Sequence, residues 1–184
     1  MRRFGRGPVT AVGLLAIGIG MAAIAFALDD SHYLAFAVPL VLIGAGDGVA
    51  LTIASDTVLA VAPKDRAGAA SAVSETGYEL GTALGIALLG SILTAVYQGT
   101  LNPPAGLPAG VREAANESPG EAFEAMAGLP DDVAASLTDA VHVAFTHALQ
   151  VTTWVGAAVL IVGAVVTYRL LPGRSEAVNE MVAH

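Results

Sequence analysis

The stretch Pro8–Leu28, PVTAVGLLAIGIGMAAIAFAL, carries no charged side chain anywhere along its length. A helix needs about 20 predominantly apolar residues to cross the hydrocarbon core of a bilayer. Helices buried in a soluble core rarely stay apolar on every face for so long. Three further segments meet that length, Tyr33–Ala62, Ala69–Tyr97 and Val141–Leu171, the last with no charged side chain between Val141 and Thr167. The whole chain agrees, with 55% hydrophobic and 13% charged residues among its 184 and a mean hydropathy of +0.69. Soluble domains typically hold about 45–50% apolar residues and about a quarter charged ones, so an ordinary water-soluble enzyme is excluded. The expectation is an all-α integral membrane protein with four transmembrane helices.

One competitor concerns the first span. Arg2, Arg3 and Arg6 ahead of an apolar run, with Ala25-Phe26-Ala27 near its end, resemble a secretory signal and its cleavage site. Signal h-regions run to about 7–15 residues, and Pro8–Leu28 is longer, so it is read as a retained span.

Charge orients the spans. The connection Asp29-Asp30-Ser31-His32 is acidic, and Pro63-Lys64-Asp65-Arg66 is basic. With a cytoplasmic N-terminus, Arg2, Arg3, Arg6, Lys64, Arg66, Arg169 and Arg174 all lie inside, and of the 8 basic residues only Arg112 lies outside. That arrangement obeys the positive-inside rule, and its reverse violates it. Both termini, including a tail at 172–184, are therefore expected in the cytoplasm. A single lysine and abundant alanine, glycine and valine suggest a GC-rich bacterial genome, hence a bacterial plasma membrane.

Residues 98–140 differ in composition. The breaker cluster Asn102-Pro103-Pro104-Ala105-Gly106-Leu107-Pro108 is followed by Glu113, Glu117, Glu121, Glu124, Asp131, Asp132 and Asp139. The four glutamates recur at helical spacing, and Val111, Phe123, Met126 and Leu129 supply a weak apolar face. This is a long acidic extracellular loop, made either of short surface helices or of solvated linker.

Chemistry-bearing motifs are scarce. There is no cysteine, so no disulfide, thiolate metal site or cysteine nucleophile exists. Gly44-Ala45-Gly46-Asp47-Gly48 has no strand before it and lacks the third glycine of a nucleotide fingerprint, which leaves close helix packing as its better account. His142 and His147 have no convincing third ligand and read as interfacial side chains. The basic residues flank the membrane and form no nucleic-acid patch. No enzymatic activity, cofactor, metal or nucleic-acid partner is expected.

The informative groups are acids within the spans. Asp47 and Asp56 fall in the second, and Glu75 and Glu79 in the third. An acidic side chain at the bilayer centre costs at least about 2.5–3.5 kcal/mol, so such residues usually face protein or an aqueous cavity. Asp56 lies near a helix end and reads equally well as a snorkelling residue. Asp47 is deeper. Glu75 and Glu79 are about 40° apart around a helix, with Thr82 and Ile86 extending their stripe. Gly77, Gly81 and Gly85 form small-xxx-small steps on roughly the opposite side, suited to tight helix packing. Repulsion between the two glutamates and their burial both favour a protonated acid. That describes a proton-binding or cation-binding device, unless hidden partners neutralise both acids.

Three stretches together carry a resemblance: Gly44-Ala45-Gly46-Asp47-Gly48, Pro63-Lys64-Asp65-Arg66-Ala67-Gly68-Ala69-Ala70-Ser71-Ala72, and Glu75 through Ala87, ETGYELGTALGIA. In order and spacing they resemble the closing helices of the 14-helix drug:proton antiporters of the major facilitator superfamily. The resemblance implies a partial C-terminal bundle, helices eleven to fourteen, whose partners are the lipid bilayer, protons, a small-molecule drug and the missing N-terminal helices. It implies proton coupling or cationic-drug recognition at Glu75 and Glu79. Asp47 stands where the family often has a small or uncharged residue. Two other readings remain open: a freestanding four-helix exporter working as an oligomer, and a non-transporting interaction subunit.

Overall fold

A computed structural model describes residues 5–28 and 32–170. Arg2, Arg3, the acidic residues Asp29 and Asp30, Arg174 and the tail 172–184 lie outside the described residues. Among the described residues six α-helices follow in order: α1 (Arg6–Ala27), α2 (Tyr33–Val61), α3 (Ala67–Thr100), α4 (Ala109–Glu117), α5 (Pro119–Ala125) and α6 (Asp131–Leu170), with a 3₁₀ turn at Lys64–Arg66. No strand occurs among the described residues.

The four long helices are apolar and long enough to cross a membrane. At 1.5 Å per residue, the 22 residues of α1 reach about 33 Å, close to the roughly 30 Å of a hydrocarbon core. The 34 residues of α3 and the 40 of α6 reach about 51 and 60 Å, so both extend well beyond it. Hydroxyls inside the spans bond to their own helices: Thr52 to the Gly48 carbonyl at 2.7 Å, Thr57 to Ile53 at 2.6 Å, and Thr76 to Ala72 at 2.8 Å. That removes the cost of carrying them into lipid.

The chain divides into two compact units, residues 1–85 with 153–184, and residues 86–152. The first is organised by small residues on α1. Gly13, Gly20 and Ala27 recur every seven residues and are buried, as are Pro39, Gly46 and Ile53 on α2. A Cβ on Gly13 would lie 2.9 Å from the Gly46 carbonyl oxygen, and one on Gly46 would lie 2.6 Å from that of Gly13. Farther along α1, a Cβ on Gly20 would lie 3.0 Å from the Pro39 carbonyl. The contacts descend α2 as they climb α1, so the helices are antiparallel along a 3.5-residue seam.

A second ridge on α1, Ala11, Gly18 and Ala25, is also buried and sits about 160° round the helix from the first. It meets α6. A Cβ on Gly18 would approach Ile161 Cγ1 at 3.1 Å and the Ala157 carbonyl at 3.4 Å. Phe26 and Trp154 stack edge to face with centroids 4.9 Å apart. In lipid the driving force for such pairs is close backbone approach, not apolar burial, and small residues supply it.

The second unit has its own core. Tyr97 near the end of α3, Leu101 just after it, Leu107, Ala115 of α4, Ala122 of α5, and Leu137, Val141, Ala144 and Ala148 of α6 are buried together. Ser118 caps α5 by accepting from the Glu121 amide at 3.1 Å. Its place three residues before that glutamate and just before Pro119 is a helix-start signature. The Pro130 carbonyl accepts from Val133 and Ala134 at the head of α6, where Asp131 and Asp132 complement the helix dipole.

Candidate functional site: acids on α2 and α3

Asp47 sits fourteen residues from each end of α2, at its midpoint, which is about 21 Å from either terminus. Asp56 is five residues from the end. Nine residues separate the two, so they point to opposite sides of the helix. No single polar space can receive both. Gly46, adjacent to Asp47, is fixed against Gly13, and this holds Asp47 about 100° away from the α1 seam. Gly44 and Gly48 would meet no described atom within 4 Å if given a Cβ.

On α3, Glu75 and Glu79 lie eight and twelve residues beyond Ala67, roughly 12 and 18 Å along the axis. Glu79 is thus placed near mid-depth of a 30 Å core if α3 enters at its first turn. Both side chains are exposed, as are Asp47 and Asp56. Among the described residues none of the four has an ion pair or side-chain hydrogen bond. Only 6% of the most apolar part of α3 is covered, against 28% for α1. At Gly77, Gly81 and Gly85 a Cβ would meet no described atom within 4 Å. The acids and the glycine ridge therefore occupy opposite sides of a helix whose flanks are bare.

Farther along, α3 carries a groove of about 560 Å³ lined by Ala87, Gly90, Ser91, Thr94, Gln98 and their neighbours. Ser91 returns its hydroxyl to the Ala87 carbonyl at 2.7 Å. His142 and His147 are exposed and about 140° apart around α6. Among the described residues no three potential metal ligands converge.

The family model of the Major Facilitator Superfamily matches residues 1–107, which include α1, α2, α3 and both pairs of acids. The chain belongs to this superfamily. It is 36% identical over 165 residues to the multidrug efflux pump LfrA of Mycolicibacterium smegmatis, covering 90% of this chain and 33% of LfrA. It is 30% identical over 106 residues to the methyl viologen resistance protein SmvA of Salmonella typhimurium, covering 58% of this chain and 21% of SmvA. The chain thus spans about a third or less of these relatives. No solved structure matches it significantly.

Membership of the major facilitator superfamily, together with four helices long and apolar enough to cross a membrane, makes this a multi-pass membrane protein. Two features of this facilitator chain escaped sequence reasoning. One is the double ridge on α1, whose signal was the paired seven-residue recurrence of small residues at 11, 18, 25 and 13, 20, 27. The other is Tyr97, which hydropathy reads as the end of a span. Its hydroxyl donates to the Ala115 carbonyl at 2.8 Å in a buried contact eighteen residues away.

Proposed function

We propose that the chain is the closing four-helix portion of a proton-coupled exporter of small lipophilic cations, with both termini cytoplasmic and residues 98–140 outside. Glu75 and Glu79 form its proton- and drug-responsive pair. The observation that carries this reading is their placement on one face of α3, within the apolar span and without a side-chain partner among the described residues. An acidic side chain at that depth is costly unless protein or a water-filled space faces it. Similarity to a pump named for multidrug efflux and to a protein named for resistance to methyl viologen, a quaternary dication, supports the substrate class.

The mechanism needs few parts. A cytoplasmic cation is drawn to the deprotonated pair, where a low dielectric strengthens the attraction. When the site opens outward, a proton neutralises the carboxylate and the cation leaves. Deprotonation toward the cytoplasm restores the charge. Glu79, about 6 Å deeper than Glu75, is the principal proton carrier, and Glu75 is its partner or drug contact. The remaining helices of the transporter supply the other wall of the cavity, which forms between two bundles. Asp47, at the midpoint of α2, faces away from the α1 seam and contributes a secondary charge to that space.

The test is Glu75→Gln and Glu79→Gln, singly and together, in the complete transporter containing this segment. Glutamine keeps the shape and removes the titratable charge. Export of a cationic dye from proteoliposomes should fall at least tenfold for E79Q, with its dependence on the pH gradient abolished. Unchanged efflux and pH dependence in the double variant, at normal expression, would show that the acids do not couple transport.

A further inference from the structure

The ends of α3 and α6 that run beyond the membrane thickness do not project as free rods. Within residues 86–152 they are built into one core. Tyr97 of α3 and Phe145 of α6 meet edge to face with ring centroids 6.5 Å apart. Leu101, the residue after α3, is buried in the same cluster as Leu137, Val141, Ala144 and Ala148 of α6. The last four recur at three- and four-residue intervals along a single stripe. Ala115 of α4 and Ala122 of α5 are fully buried against these helix ends. Small side chains there let the two short helices approach closely. Tyr97 also donates its hydroxyl to the Ala115 carbonyl, so one side chain joins α3 to both α4 and α6.

A connection between neighbouring helices needs only a few residues, and long loops usually have a job or are disordered. This one has a core, a capped helix and a buried tyrosine hydrogen bond. We propose that residues 86–152 form a clamp that holds the loop-side ends of α3 and α6 at a fixed separation, with Tyr97 as its latch. The helix bearing Glu75 and Glu79 is then tied to α6 at one end. Any rearrangement around the acids must occur by movement of α3 and α6 together at the clamp, or by bending below it. This consequence rests on the transporter reading, whereas the clamp is a property of the fold.

The experiment places nitroxide labels at Thr100 and Asp139, both exposed, in the complete transporter in nanodiscs. Their distance distribution is recorded at acid and alkaline pH, and with and without tetraphenylphosphonium. One narrow distribution with an unmoved mean is expected throughout. A shift of the mean by more than its width under any of these conditions overturns the clamp. Tyr97→Phe keeps the ring and deletes the latch. It should broaden the distribution and speed amide exchange in α4 about tenfold, as expected for an unsatisfied buried carbonyl. No change in either readout would remove Tyr97 from that role. Because the distances do not depend on transport, a protein that exports nothing still tests the clamp.

Discussion

Gly46→Ala offers the most direct test of how the first unit is held together. The added methyl would sit 2.6 Å from the Gly13 carbonyl oxygen, 2.9 Å from Ile17 Cγ1 and 3.1 Å from Ala16 Cβ. Ordinary contact begins near 3.4 Å, so α1 and α2 must part by about 0.8 Å. The nearest obstacle is backbone, which cannot rotate aside. Overpacking of this kind costs about 1–3 kcal/mol. Gly44→Ala and Gly48→Ala, two residues to either side, meet no described atom within 4 Å. They should be neutral, or gain up to about 1 kcal/mol from the better helix propensity of alanine. The readout is Trp154, the chain's single tryptophan, which packs on Phe26 where α6 meets α1. Thermal unfolding in nanodiscs followed by its fluorescence should show G46A falling below the unsubstituted chain and both neighbours holding level or rising. Equal midpoints for the three variants would refute the seam.

Other outcomes follow from the same contacts. Cysteines placed singly at Ala67 and Ala127, both exposed, should react oppositely with an impermeant reagent on intact cells. Labelling at Ala127 alone is expected, and labelling at Ala67 alone would invert the topology. Ser118→Ala removes the α5 cap and should cost about 1 kcal/mol, seen as faster amide exchange at Glu121 with α3 unaffected. Gly128 holds φ +94°, so Gly128→Ala should destabilise the second unit by about 1 kcal/mol, and unchanged exchange in α5 would contradict that. Expressed alone, this chain should drive no proton-linked efflux, and robust efflux from liposomes would favour a freestanding oligomeric exporter.

Hydropathy made the four spans legible because a bilayer imposes a length and a composition at once. Pro8–Leu28 satisfies both with no help from tertiary context. The small residues are harder to read for a physical reason. Gly77, Gly81 and Gly85 on α3 and Gly13 and Gly20 on α1 both recur on one side of a helix, yet among the described residues the latter pair meets a partner and the former three do not. Periodicity shows that a face can be approached, and it is silent about what approaches it. Reading the ridge on α2 at the same time would have helped, since Pro39, Gly46 and Ile53 repeat the seven-residue interval of Gly13, Gly20 and Ala27 in the opposite direction.

The second unit was obscured by its own composition. Its core depends on Ala115, Ala122, Ala144 and Ala148, and alanine looks the same in a surface helix as in a packed one. The glutamates at 113, 117, 121 and 124 dominate any charge pattern and make the segment read as solvated. Hydropathy also places the start of the last span at Val141, whereas α6 begins at Asp131. The first ten residues of α6 are helical through the Pro130 carbonyl, the acidic first turn and burial of Leu137, none of which hydropathy registers. These residues carry α6 from the lipid into the core that it shares with Tyr97.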